Sequence, residues 1–310
     1  MTAAQTIPIV DLRAPRDEIV RGVGESLAEI GFFAIANHGV PDELTARVYD
    51  AARAVFHLPA DVKARYHDPG KLAQRGYTGF GKEHARDQAA PDLKEFWQIG
   101  RVDAPDDHAV HRRFGANVWP TEVPGFRAAI TELYRHLDQL GGTLLEACAA
   151  YLGEPDGRFR EMAREADTIV RVLYYPPTVG APAGSVRSAA HEDINLITLL
   201  SGATAEGLEL LRHDGSWMLV HTGFDTIVVD AGDMLQNATN GLYKSTTHRV
   251  VNPRDGASER FSIPCFVHAR PDVDLAPLPS CVARTGGVAR YPSVTAGDYL
   301  VQRLREIGLA

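Results

Sequence analysis

A chain of 310 residues, 45% hydrophobic and 23% charged, has the make-up of a soluble globular protein that buries a sizeable core without disulfide staples. Its net charge of −8 and dispersed Lys and Arg exclude the basic stripe of a nucleic-acid binder or of a protein held on an anionic membrane. The three cysteines, Cys148, Cys265 and Cys281, are far apart and form no CxxC pair, which excludes a zinc knuckle or a disulfide framework and reads as reduced, buried cytosolic thiols.

The opening Met1-Thr-Ala-Ala-Gln-Thr-Ile-Pro8 has no cationic patch followed by an apolar stretch, and no apolar run approaches the roughly 20 residues needed to span a bilayer. Cytoplasmic residence is the expectation. Ile7 to Leu12 reads as a short strand. Arg16 to Ile30 has helical apolar spacing (Ile19, Val20, Val23, Leu27, Ile30) and stops at Gly31. Phe32 to Ile35 is a second strand, Asn37 to Pro41 a turn, and Asp42 caps a helix running to about Phe56. Residues 68 to 122, rich in Gly, Pro and charge, read as loops with short elements. They include Arg75-Gly-Tyr-Thr-Gly-Phe-Gly81 and the mixed stretch Pro91 to Gly100. A long amphipathic helix is predicted from Val123 to Leu152 (Phe126, Ile130, Leu133, Leu137, Leu140, Leu144, Leu145).

The second half changes character. Val170–Tyr175, His191–Leu200, Leu208–Leu211, Trp217–His221, Thr226–Asp230 and Phe261–His268 read as short strands between Gly/Pro/Asp turns, the pattern of an antiparallel sandwich or barrel. Ala296 to Ile307 is again helical. The expected organisation is an N-terminal α/β region, residues 1–122, packed on a core of residues 123–310, the two forming one compact unit.

His191-Glu192-Asp193 carries the strongest chemical signal. Along a strand, residues 191 and 193 share a face, so a His and an Asp can take two adjacent positions on one metal. His248, after Thr246-Thr247 and before a Val-Val pair, is the best third ligand. Two neutral imidazoles and a carboxylate form the facial triad of non-haem Fe(II), with positions left open for substrate and dioxygen. A structural zinc site would close its shell and favour thiolates. A lone His-x-Asp arises often by chance among twelve histidines, and the downstream context is what raises this one. Arg260 and Ser262 share a strand face, and a guanidinium beside a hydroxyl is a good clamp for a carboxylate. Tyr175 shares a face with Leu173 and Arg171. Its hydroxyl suits a cosubstrate carboxylate, and it serves equally as a core aromatic with a wet edge.

Several ordered motifs resemble the isopenicillin N synthase-like family of 2-oxoglutarate/Fe(II) dioxygenases. They are Ile7-Pro-Ile-Val-Asp-Leu12, Gly31-Phe-Phe, Asn37-His-Gly-Val-Pro41, Tyr174-Tyr-Pro-Pro177, His191-Glu-Asp-Ile-Asn-Leu-Ile-Thr-Leu-Leu200, Gly207-Leu, Gly232-Asp-Met-Leu-Gln236, Thr239-Asn-Gly241, Ser245-Thr-Thr-His-Arg-Val250 and Arg260-Phe-Ser262. The resemblance covers nearly the whole chain. It implies a mainly β double-stranded β-helix (jelly-roll) core with flanking helices, Fe(II) on His191, Asp193 and His248, and the distal carboxylate of 2-oxoglutarate on Arg260 and Ser262 with help from Tyr175. One departure is Leu173, where many members carry Asn two residues before that Tyr.

The expected reaction is oxidation of an unactivated C–H bond by dioxygen and 2-oxoglutarate: hydroxylation, with desaturation or ring closure needing only a different substrate placement. The expected partner is a small molecule. Arg171, two residues before Leu173 on the same face, suits a substrate carboxylate, although an ion pair with a local Asp or Glu explains it slightly better. Tyr77 and Phe80, in the Gly-rich loop, are further substrate-pocket candidates that could equally be packing, and Phe266 is a core residue first and a pocket wall second. The alternatives are an Fe(II) oxidase of the same fold that uses no 2-oxoglutarate, or a non-catalytic jelly-roll binding protein. A zinc hydrolase lacks an HExxH helix.

Overall fold

Period-two alternation decides which side of each strand is buried against what. The computed structural model describes residues 6–309 except 84–91, 106–107, 182–183 and 222. Parts of the 68–122 segment read as loops therefore lie outside the described residues. The strands are β1 (Ile9–Asp11), β2 (Phe32–Ala36), β3 (Gly76–Thr78), β4 (Glu95–Ile99), β5 (Ile169–Tyr175), β6 (Ser188–His191), β7 (Ile197–Ser201), β8 (Leu208–Leu211), β9 (Trp217–Leu219), β10 (Thr226–Ala231), β11 (His248–Val250) and β12 (Arg260–Val267). They form an eight-stranded sheet in the order β1-β2-β10-β7-β12-β5-β4-β3 and a four-stranded sheet in the order β6-β11-β8-β9. This is the mainly β jelly-roll core with flanking helices that the sequence predicts.

One face of the large sheet packs on helices. Val170 and Val172 of β5, Ile197 and Leu199 of β7, Phe33 and Ile35 of β2, and Ile263 and Cys265 of β12 join a single core with the helix Pro124–Leu152. Each fully buried Leu or Phe in this layer contributes about 1.5–3 kcal/mol. The residues between them, Leu173 and Tyr175, Ala34 and Val228, point to the other side, where a second cluster with Leu208, Leu210 and Val250 of the small sheet fills the space between the sheets. The same inward face carries Arg171, Thr198, Asp230, Arg260, Ser262 and Phe266, which line a cavity there.

Four of the eight large-sheet strands come from residues before 123, β1 and β2 at one edge and β3 and β4 at the other. Gly31 makes the first entry possible. Its φ of +81° ends the helix Arg16–Glu29, and a side chain there would meet the Lys244 carbonyl at 2.4 Å.

Local expectations need several corrections. Pro41, not Asp42, holds the N-cap position of the helix Asp42–Phe56, and no side chain caps it; Asp42 is its first residue, where the carboxylate favours the helix dipole. Among the short elements expected in the 68–122 segment, Glu95–Ile99 is a fully buried strand whose alternation is hidden by a buried charge, Glu95, paired with Lys63. The predicted single strand His191–Leu200 is two strands in different sheets, β6 and β7, joined by the turn 192–196.

Candidate metal centre and cavity

Strand pairing places the two histidines. His191 ends β6, and His248 begins β11 directly opposite it, so the ring centroids lie 4.4 Å apart. Asp193 follows on the turn, and its Oδ1 is 3.8 Å from the Nε2 of each histidine. One ligand atom from each of His191, Asp193 and His248 lies within 4.8 Å of the others, which fits a single metal ion. The side chains are oriented for this. The Nδ1–H of His191 donates to the Ala189 carbonyl at 2.8 Å and that of His248 to the Thr246 carbonyl at 3.1 Å, leaving both Nε2 lone pairs toward Asp193. Thr198 donates to Asp193 Oδ2, which leaves Oδ1 for the metal. Phe32 packs edge-on against His248 at 5.4 Å. Burial, and then His248, hold His191 well below the ordinary imidazole range, in the neutral form a cation requires.

The turn itself is held by backbone. Asp233 N–H donates to the Asp193 carbonyl at 2.7 Å and Gly232 N–H to the Leu196 carbonyl at 2.9 Å. Gly232 is required by proximity, not by its φ: a Cβ there would sit 2.2 Å from the Asn195 carbonyl oxygen. His191 and Asp193 therefore converge through a tight turn between two sheets, not through the strand parity that the sequence suggests.

Parity does hold for the carboxylate clamp. Arg260 and Ser262 face the cavity from β12, with Nη1 donating to Ser262 Oγ at 2.9 Å and Nε to the Ala205 carbonyl at 3.0 Å. Arg260 is 1% exposed, and no acidic side chain among the described residues pairs with it. A buried guanidinium without a counter-charge calls for an anion. Tyr175 lies opposite Arg260 in the β5–β12 register, its ring 5.2 Å from the guanidinium, and it also lines the cavity.

Arg171 and Phe266 line the cavity as expected. Arg171 is paired with Glu83, the ion-pair alternative that the sequence favoured, yet it does face inward. Tyr77 takes the packing role that the sequence leaves equally open, and the pocket role expected for Tyr77 and Phe80 is not met. Tyr77 is buried, packs against Trp97 and donates its hydroxyl to Glu95, and Phe80 is 47% exposed; neither lines the cavity. A strand set by β4 pairing turns Tyr77 to the helix layer.

Other cavity residues went unrecognised in the sequence. Lys94 and Gln98 project from the β4 segment, and Gln98 stands opposite Arg171. Their spacing, with Phe96 between them, was the available signal. Asp230 also lines the cavity; burial and then Asp193 hold its carboxyl well above the usual range, favouring the neutral acid. Leu300, Leu304 and Ile307, on and just after the helix Ala296–Glu306, supply an apolar wall. That helix is tied to the metal-bearing turn through Asp233, which accepts from Tyr299 at 3.0 Å and pairs with Arg303 at 3.4 Å.

Comparisons with known proteins agree with this arrangement. Residues 7–122 match the family described as non-haem dioxygenase in morphine synthesis N-terminal, and residues 166–269 match the 2OG-Fe(II) oxygenase superfamily. The chain is 34% identical over 274 residues to the 2-oxoglutarate-dependent dioxygenase caaD of Aspergillus niger, covering 84% of each chain. It is similar to a 2OG-Fe(II) oxygenase family protein from Caulobacter crescentus (TM-score 0.86, 37% identity, 97% of this chain and 98% of that one). It is also similar to a full-length Neurospora crassa protein solved in complex with alpha-KG and thymine (TM-score 0.84, 26% identity, 98% of each chain). With the His-Asp-His cluster and the buried Arg260 already in place, the chain belongs to the 2OG-Fe(II) oxygenase superfamily and is an Fe(II)- and 2-oxoglutarate-dependent oxygenase.

Proposed function

We propose that His191, Asp193 and His248 hold Fe(II), that Arg260 and Ser262 bind the distal carboxylate of 2-oxoglutarate with Tyr175 packed beside it, and that the enzyme oxidises a C–H bond of a small, carboxylate-bearing metabolite. One observation carries the reading: three donor atoms converge with both Nδ1 atoms tied off, in the same cavity as a buried guanidinium that has no acidic partner among the described residues. Bound iron with 2-oxoglutarate and dioxygen supplies the oxidising power. One oxygen atom enters the substrate as a hydroxyl and the other enters succinate, with release of carbon dioxide.

The chain's own residues orient and exclude. Thr198 and the two backbone carbonyls fix the ligand side chains. Leu173, Phe266, Leu300 and Leu304 line the cavity with apolar surface that keeps water from the reacting carbon. Arg171, facing the cavity, receives the charged end of the substrate. Tyr77 and Phe80 have no part in this reading. Among the described residues no helix is long and apolar enough to cross a membrane. The free, buried thiols of Cys148, Cys265 and Cys281 suit the reducing cytoplasm, and the acidic balance argues against nucleic acid as a partner.

The test is succinate formation from 2-oxoglutarate with added Fe(II), screened across amino acids, small peptides and aromatic acids. Substrate-dependent succinate is the expected result. Oxygen consumption without succinate would point to an oxidase of the same fold, and the absence of both iron binding and turnover would overturn the reading.

A further inference from the structure

Beyond the carboxylate clamp, one wall of the cavity carries four charges that neutralise one another. Glu83, Asp92, Lys94 and Arg171 all line the cavity, and the side chain of none is more than 12% exposed. The Glu83 carboxylate accepts from Arg171 Nη1 at 3.0 and 3.1 Å and lies 3.2 Å from Lys94 Nζ. Lys94 also donates to Asp92 Oδ2 at 2.7 Å and to Ser188 Oγ at 3.3 Å, and Asp92 Oδ1 accepts the Ala189 N–H at 2.9 Å. Arg171 is held in place: Nε donates to Gln98 Oε1 at 2.7 Å, and the guanidinium lies 4.2 Å from the Phe96 ring centroid and 5.3 Å from that of Phe266. It stands four residues from Tyr175 on the same face of β5, a span of about 13 Å.

We infer that this wall selects an overall neutral, zwitterionic substrate of the amino-acid class, whose carboxylate is taken by Arg171 and whose ammonium group is taken by Glu83. The inference rests on the reading above of which end of the cavity holds the cosubstrate. Its basis is that a buried charge must stay paired. A lone carboxylate on Arg171 would be driven against Glu83, which stays ionised: although burial opposes it, Arg171 and Lys94 hold Glu83 down to about 2. A lone ammonium group would crowd Arg171 and Lys94. A zwitterion inserted between Arg171 and Glu83 leaves every charge of the wall with an opposite neighbour, so the same residues attract one class and repel two others. Three other charged groups of the cavity have partners or roles elsewhere. Asp193 faces the metal position, Arg260 the cosubstrate, and Glu192 accepts the Thr247 hydroxyl.

The experiment is calorimetric titration of the full-length protein, loaded with Fe(II) and 2-oxoglutarate under anaerobic conditions. The titrants are the α-amino acids with uncharged side chains and, for each, its N-acetyl form (an anion) and its amide (a cation). Uptake of 2-oxoglutarate is measured first; its failure would overturn the cosubstrate assignment, and this inference with it. At least one free amino acid should bind about tenfold or more tighter than both of its derivatives, and Glu83→Gln should shift the preference about tenfold toward the N-acetyl form. Three results would overturn the inference on protein that takes up 2-oxoglutarate: derivatives that bind as tightly as the free amino acid, no binding by any free amino acid, or an unchanged preference in a folded Glu83→Gln protein. If that variant does not fold, the wild-type panel decides alone.

Discussion

The two ends of the cavity are built by different means. At the metal end, two strands and one turn do the work. His191 and His248 are partners in a β-ladder, their outer nitrogens are tied to carbonyls two residues away, and Asp193 sits on a turn gripped by the backbone of Gly232 and Asp233. At the substrate end, the wall is assembled from stretches distant in sequence, at Glu83, at Asp92–Gln98, on β5 and β12, and on the C-terminal helix, and it is joined by side-chain ion pairs. A site specified by backbone geometry is hard to change without losing it. A site specified by paired charges is altered by one substitution, which suits a fold that keeps one oxidant and varies its substrate.

That contrast breaks most sharply at Gly232. Gly232→Ala forces a Cβ to within 2.2 Å of the Asn195 carbonyl, and the turn bearing Asp193 must move to admit it. The expected cost is about 1–3 kcal/mol of stability, read by thermal unfolding, together with at least about tenfold weaker Fe(II) binding, read by metal titration, of the size seen when groups supporting a metal ligand are lost. A variant with unaltered melting and metal affinity would show that backbone does not hold this end.

The smaller effect lies in the charged wall and depends on pH. Glu83 has its folded-state value depressed from 4.5 to about 2, so its ion pairs stabilise the protein above about pH 4.5 and that contribution is lost as pH falls toward 2. The stability gap between wild type and Glu83→Gln should therefore be largest near neutral pH, on the order of 2–3 kcal/mol, and should close through that window. Thermal unfolding of both proteins as a function of pH measures it, and a gap that does not change with pH would contradict the pairing.

The same contrast explains what the sequence made legible. Two-residue spacing joins His191 to Asp193 and Arg260 to Ser262, whereas His248 is tied to them only by its place in the β-rich half and by the ordered motifs. For Arg260 and Ser262 the reason was also right, because both sit on one strand. For His191 and Asp193 the spacing pointed to the correct pair through the wrong local structure, since periodicity cannot distinguish one long strand from two strands joined by a turn. Alternation on β5 placed Arg171 inward but could not show that Glu83, 88 residues earlier, would meet it. A Gly-rich segment leaves Tyr77 open between pocket and packing, and only its pairing with β4, which makes it a strand and turns its ring toward Trp97, decides for packing. The strand Glu95–Ile99 was hidden by its own buried charge, which only tertiary pairing with Lys63 makes tolerable.

The most direct test of the central claim is an anaerobic titration of Fe(II) into the protein with 2-oxoglutarate present, following the visible absorption of the iron–2-oxoglutarate complex. Wild type should saturate at one equivalent of iron, and His248→Ala, with its fold checked by circular dichroism, should weaken iron uptake by about 100-fold or more. Absence of the band in wild type, or undiminished uptake by His248→Ala, would contradict the account.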